Sequence, residues 1–396
     1  MPLALLALAI SAFGIGTCEF IISGGLLPEL AADLRVGVPS AGLLVTAYAF
    51  GVVVDAPLLT LLGTRLPRKT MLLFLMALFI TGNLLSALAP TYGVLMIGRI
   101  LAAFAHGAYF GVGAVVAAGL VEPHRRARAL ALMFTGLSLA NVLGVPGGTA
   151  IGQAFGWRAA FWAVVAIGAV GLAGVAALVP SQARSREGGL GRELTVFRQG
   201  GVWLALATTV LGFAPVFTVI TFVAPMMTDV ADFSPEAIPV VMGVFGVGLV
   251  LGNLLGGRLA DRSVQHAIYG SVGALTMLSL GTALTAANKP ALVVTITLFG
   301  VAAFATIPPL QTQVLDSAEK APTLASAANI GAFNLANALG SLLAGLAVDT
   351  GYGYTSPAWI AVILGIAGLV MAGLTSFRRR SRVPAAPNRS TAKTTM

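Results

Sequence analysis

The hexapeptide Leu139-Ala140-Asn141-Val142-Leu143-Gly144 returns 196 positions later as Leu335-Ala336-Asn337-Ala338-Leu339-Gly340, with five of its six residues unchanged. The chain has 396 residues, so this offset is close to half its length. A second pair keeps a similar spacing: the basic loop Arg65-Leu66-Pro67-Arg68-Lys69 has a counterpart in Gly257-Arg258-Leu259-Ala260-Asp261-Arg262. Two parallel halves of one design follow. Both hexapeptides lie in long apolar runs, and composition says what such runs are. Hydrophobic residues make up 57% of the chain and charged ones 9%, against roughly 25% charged in a soluble domain. This is the pattern of a polytopic membrane protein.

A helix needs about 20 largely apolar residues to cross roughly 30 Å of hydrocarbon. On that ruler the sequence predicts twelve spans, over 3–27, 41–62, 70–89, 93–120, 127–153, 158–179, 201–226, 237–257, 266–287, 290–312, 323–347 and 356–377. The first is too long and too poor in leading basic residues for a signal peptide. Charge tests the count. Of the 23 Lys and Arg, 19 fall in gaps on one side of the expected membrane, Arg35, Arg158 and Lys289 fall on the other, and Arg99 lies within a span. Basic residues favour the cytoplasmic side, so both termini are expected there. The expected fold is all-α: an N-terminal six-helix bundle over 1–180, a cytoplasmic linker over 181–200, a C-terminal six-helix bundle over 201–377 and a basic, disordered cytoplasmic tail over 378–396.

The net charge of +9 would suggest nucleic acid in a soluble chain, but here the basic residues sit between apolar runs and orient helices. No nucleic-acid partner is expected. The single cysteine, Cys18, excludes an intramolecular disulfide and any multi-cysteine metal site. There is no Walker loop, no Gly-x-Ser-x-Gly elbow and no His/Cys metal spacing, and His106, His124 and His266 are scattered. An enzyme, a metal centre and an organic cofactor are therefore not expected. A channel usually repeats its filter about an axis, whereas these halves differ in a telling way. Two carboxylates lie inside long apolar stretches, Glu19 in the first span and Asp55 in the second, and both belong to the first half. A charge at bilayer depth costs from about 2.5 kcal/mol upward, which marks such acids as candidates for proton or substrate handling.

From these residues the chain resembles the major facilitator superfamily, and within it the twelve-span drug:proton antiporters that include chloramphenicol-resistance and sugar-efflux-like bacterial permeases. Gly16-Thr17-Cys18-Glu19-Phe20 begins the resemblance, which runs through the last span. The superfamily's loop signature, Gly-x-Leu-Ala-Asp-Arg-x-Gly-Arg-Lys, is matched after span 8 by Gly257, Leu259, Ala260, Asp261 and Arg262. After span 2 it is matched by Arg65, Arg68 and Lys69, with Thr60 and Thr64 where Gly and Asp are expected. Arg99 resembles the buried arginine of span 4. Gly144, Pro146 and Gly148, followed by Gly152, resemble the span 5 motif that marks antiporters in that superfamily.

The resemblance implies a multi-pass protein of the bacterial inner membrane, monomeric, moving a small molecule by alternating access with protons as coupling ion. Export of a small amphipathic drug or metabolite is the leading expectation. Proton symport or export of a sugar or nucleobase is the alternative within transporters, and a channel or receptor the alternative beyond them. Glu19, about 24 Å along its helix from Leu3, is the expected proton acceptor, since low dielectric favours a neutral carboxyl. Arg99 must find a partner at that depth and could hold Glu19, Asp55 or free helix carbonyls. Asp55 stands where the resemblance leads one to expect glycine; either it is a second protonatable site sharing Arg99 with Glu19, or it is idiosyncratic. His106, seven residues after Arg99 and on the same helical face, could relay protons or simply bond a neighbouring helix. Tyr48, His106, Tyr109, Asn141, Asn334 and Asn337 are the candidate substrate-cavity residues. Arg65, Arg68, Lys69, Gly144, Pro146, Gly148, Gly257, Asp261 and Arg262 are the candidate gating residues, with Asp261 and Arg262 expected to bridge to a neighbouring helix.

Overall fold

The computed structural model describes residues 2–63, 66–122, 126–181, 195–318 and 322–380. Arg65, residues 182–194 of the expected linker and residues 381–396 of the expected tail lie outside them. Twelve helices are long and apolar enough to cross a membrane, as the sequence predicts. They are Leu3–Phe20, Val38–Asp55, Arg68–Ala87, Tyr92–Gly119, Leu132–Phe155, Trp157–Leu178, Gly200–Ile220, Ala237–Arg262, Val264–Thr285, Lys289–Ser317, Ala325–Tyr352 and Ser356–Phe377, called spans 1 to 12 below.

Lipid gives no hydrophobic drive for helices to associate, so close packing falls to small residues. Span 5 lies on span 1 through Gly144, Gly148 and Gly152, where a Cβ would collide with Thr17, Ile21 and Leu26. Span 6 lies on span 1 through Gly171 at Ser11 and Gly174 at Ala7. The glycines of the span 5 run join two spans of one half, and Pro146, on the other face, meets Gly243 of span 8. Ahead of Pro146 the helix widens by one turn over Ala140–Gly144, which accommodates a residue that has no N–H to return to the preceding turn.

Two equivalent spans are broken. Span 4 consists of Tyr92–Ala103 and His106–Gly119, and span 10 of Lys289–Ala305 and Ile307–Ser317. Pro308 and Pro309 predict the second break; no proline accompanies the first. Pro215 lies inside Gly200–Ile220 without interrupting it, since one missing donor can be tolerated where neighbours pack. The helix stops at the next turn, before a short segment Val223–Pro225.

The halves meet through spans 2 and 11 and through spans 5 and 8. Ser341 donates to the carbonyl of Gly42 (3.3 Å), Gly246 lies so near the Asn141 carbonyl that a Cβ would overlap it, and Gln153 donates to the carbonyl of Pro235 (2.9 Å). These contacts lie between the middle of the spans and the end away from the chain termini. A small, partly open space between the halves, lined by Phe20, Ser23, Asn141, Val145, Ile220, Met242 and Phe245, is about 10 Å³, room for one water. Along the face of span 8 that carries Gly246, Asn253 and Leu254 toward the terminal end are exposed. The described contacts between the halves thus concentrate toward one end.

Candidate functional site

Five spans bring polar groups to the middle of the first half. Arg99 of span 4, fully buried, donates from Nη1 to the Cys18 carbonyl (2.7 Å) and to its Sγ (3.2 Å) in span 1. Cys18 Sγ donates in turn to Asn83 Oδ1 of span 3 (3.1 Å). The guanidinium lies over the Tyr48 ring of span 2, 4.2 Å from its centroid, an arrangement that stabilises a desolvated cation. Arg99 was expected to hold Glu19, Asp55 or helix carbonyls, and the carbonyl reading is the one met. Among the described residues no ion pair joins Arg99 to either acid, and its Nε and Nη2 are buried without a hydrogen-bond partner.

Glu19 follows Cys18, about 100° further round the helix, and among the described residues makes no ion pair with the guanidinium. It is 8% exposed. His106 of span 4 brings Nε2 to 3.9 Å of its Oε2, and the other ring nitrogen, Nδ1, shares a hydrogen bond with the Tyr48 hydroxyl (3.1 Å). From the opposite half, Asn337 of span 11 donates Nδ2 to Glu19 Oε1 (3.4 Å). Glu19 is thus touched from both halves, and the repeated hexapeptide supplies one of the partners. The Asn337 and Asn334 Oδ1 atoms are buried and without a donor, and both residues share a stripe of span 11 with Ser341, which faces the first half.

Asp55 is the clearest departure from expectation. It does not share Arg99 with Glu19. Its Oδ2 accepts the backbone N–H of Ala108 (3.0 Å), and its Oδ1 is buried without a partner. That amide belongs to the second helix of the broken span 4.

The remaining candidates are placed as follows. Tyr109 turns into the first half and reaches the Leu8 carbonyl (3.3 Å). Asn141 bonds back to the Leu137 carbonyl (3.0 Å) and lines the small space between the halves. Lys69 donates to the Ala176 carbonyl (2.7 Å) at the end of span 6, a cation on helix carbonyls inside one half. Arg68 opens the helix of span 3. Gly257 has open space where a Cβ would stand. The expected bridge from Asp261 and Arg262 is not made: both are exposed, and no hydrogen bond or ion pair joins them to another helix among the described residues. They lie toward the end away from the hydrogen bonds that join the halves. Asn83 was missed, although the argument that singles out Asn141, an amide in an apolar span, applies to it equally.

Twelve spans in two like halves, joined toward one end beside a buried acid that both halves touch, define a membrane transporter. The chain belongs to the Major Facilitator Superfamily, whose family model matches residues 8–340. It is 43% identical over 368 residues to the inner membrane transport protein YdhP of Escherichia coli K12, covering 93% of this chain and 94% of that protein. It is 34% identical over 377 residues to a chloramphenicol resistance protein of Streptomyces lividans, covering 94% and 96%. Among solved structures it matches a bacterial homologue of the human lysosomal transporter Spinster, inward-facing and unoccupied, with TM-score 0.76, 17% identity and coverage of 97% and 98%. It is a multi-pass inner-membrane protein, and its relatives are transporters, not enzymes.

Proposed function

We propose that this chain is a monomeric, proton-coupled exporter of small neutral or weakly cationic amphipathic compounds, working by alternating access with Glu19 as the coupling acid. The observation that carries the reading is that Glu19, buried between halves, is held by His106 from one and Asn337 from the other. A carboxylate accepts the Asn337 N–H; a protonated carboxyl no longer needs it. Proton uptake on Glu19 therefore loosens the one side-chain to side-chain hydrogen bond that crosses the halves among the described residues. With the termini in the cytoplasm, as the basic loops indicate, the contacts that join the halves lie toward the outward side. Asp261 and Arg262 would then engage at the cytoplasmic end when the halves rock. The unpartnered oxygens of Asn334 and Asn337 suit a ligand with hydrogen-bond donors. The resistance named for the Streptomyces relative supports a drug as cargo.

The energy suffices. One proton moved down about 100 mV supplies roughly 2.3 kcal/mol, near a fifty-fold gradient of a neutral substrate. The test is transport in membrane vesicles. Everted vesicles energised with a proton gradient should accumulate substrate, and Glu19→Gln should abolish that accumulation while the protein remains inserted and folded. Retained uphill transport by Glu19→Gln removes the acid from the mechanism. Accumulation by right-side-out vesicles instead would establish import, the symport reading.

A further inference from the structure

The break in span 4 raises a question that the sequence does not answer. A helix begins with N–H groups that have no acceptor in the preceding turn, and in a membrane interior no water replaces one. The second helix of span 4 begins at His106 after Ala105, whose side chain offers no cap. Its third amide, Ala108, donates to Asp55 Oδ2 across the span 2–span 4 interface (3.0 Å). An aspartate at a helix start does this in sequence from the capping position, and its charge also suits the positive end of the helix dipole. Here the same chemistry comes from another span.

The break has a second consequence. His106 is the first residue of the new helix, and its ring lies between the Tyr48 hydroxyl and the Glu19 carboxyl. Where that helix starts decides where the imidazole points. We propose that Asp55 is a positioning residue: by capping the second helix of span 4 from span 2, it fixes the break and so holds His106 against Glu19. Asp55 acts on the coupling acid through His106 and not by direct contact. The proposal rests on the reading of Glu19 as the coupling acid, but its test does not require transport.

The groups that face Glu19 are His106 from span 4, with Arg99 behind on the same span, Tyr48 from span 2 and the uncharged Asn337 from span 11. Asp55 faces the Ala108 amide of span 4. The Glu19 carboxyl can be followed without substrate, by the pH dependence of its infrared C=O band in purified protein in lipid, with Glu19→Gln identifying the band. Asp55→Ala, Asp55→Asn, His106→Gln and the two double variants are compared. Asp55→Ala should move the titration midpoint of Glu19 by about one pH unit, the usual spread that surroundings impose. Asp55→Asn keeps an acceptor for the Ala108 amide and should move it less. In the His106→Gln background neither change should move it further. Equal shifts in both backgrounds, or no shift in either, overturns the proposal. Should Asp55→Ala not fold, Asp55→Thr, whose oxygen is drawn back by one bond from Ala108, is put through the same cross with the same two overturning results. Failure of wild-type vesicles to transport against a gradient would sink the exporter reading and leave this measurement standing.

Discussion

Spans 2 and 4 in the first half and spans 8 and 10 in the second occupy equivalent places, yet they solve one problem by opposite chemistry. In the second half Gly248, Gly252 and Gly256 of span 8 lie against the backbone of span 10 at Thr297, Val301 and Ala305. The break that follows is made by Pro308 and Pro309, second and third in the new helix, where a residue without an N–H leaves nothing to satisfy. In the first half the three places 197 positions earlier hold Gly51, Asp55 and Leu59. The second and third residues of the new helix are Gly107 and Ala108, both with amides, and Asp55 accepts from the second of these. One half removes the donors and closes the gap; the other keeps the donors and fills the gap with an acceptor. A proline break is fixed in chemistry, whereas a carboxylate cap can respond to what surrounds it. The half that contains the responsive break also contains Glu19, His106 and Arg99.

The sharpest way to break this comparison is to give the second half the first half's solution. Gly252→Asp places a side chain where even a Cβ would overlap the Val301 carbonyl, with prolines at the break and no amide there to receive the charge. Overpacking and an unpaired buried charge should together cost at least ~3 kcal/mol, read as loss of folded protein in the membrane or a large drop in its thermal midpoint. Gly252→Ala should cost about 1–3 kcal/mol from overpacking alone. Gly257→Ala on the same helix, with open space around it, should instead raise stability by up to ~1 kcal/mol, because glycine is a poor helix residue. A normally folded Gly252→Asp protein would mean that the glycine seam is not what joins spans 8 and 10.

The converse exchange has a smaller effect. Removing the cap with Asp55→Ala orphans the Ala108 amide and should cost about 1–2 kcal/mol. Ala108→Pro alone removes a donor and leaves the carboxylate short of a partner, so it too should destabilise. The double variant imitates the second half, which has neither cap nor donor at that place, and should be more stable than the two single costs added together. Thermal unfolding of the four proteins in one detergent measures this coupling; strict additivity would show that Asp55 and the Ala108 amide do not work as a pair.

Much of this fold can be read from the chain. The repeated hexapeptide, the apolar runs and the sorting of Lys and Arg give twelve spans in two halves, because membrane insertion acts on local hydropathy and charge. Glu19 and Arg99 stand out for the same reason: a charge in an apolar run is visible without a structure. The break in span 4 is not visible, since Ala103-Phe104-Ala105 reads as ordinary helix and the interruption is set by a side chain about fifty residues earlier in another span. The partner of Arg99 was likewise left open. Membrane depth left Glu19, Asp55 and helix carbonyls open as partners; successive helical residues point about 100° apart, and the arginine bonds Cys18 and not the glutamate beside it. Asn83 and Asn337 show the limit from the other side, since an amide in a span announces a hydrogen bond but not its partner.

The smallest predicted effect lies at the end where the contacts between the halves concentrate, and there the halves again differ. Asp33, beyond span 1, accepts from Trp157 Nε1 (2.9 Å) and Arg158 Nη1 (2.7 Å), and Arg158 also donates to the Ala89 carbonyl (2.8 Å), tying the ends of spans 1, 3 and 6. In the second half Lys289 only approaches Asp232, at 3.9 Å. The hydrogen bonds from Trp157 and Arg158 hold the Asp33 carboxyl below its ordinary range. A carboxylate with a lowered folded value contributes stability that is present at neutral pH and fades as pH falls through that value. Both Asp33 and Arg158 are well exposed, so solvent screening limits the contribution to less than about 1 kcal/mol. Asp33→Asn should therefore lower the thermal midpoint slightly at neutral pH, and the gap to wild type should close under acid conditions. Asp232→Asn should change nothing at either pH. An Asp33→Asn deficit that persists unchanged in acid would show that packing, and not the ionised carboxylate, ties these ends together.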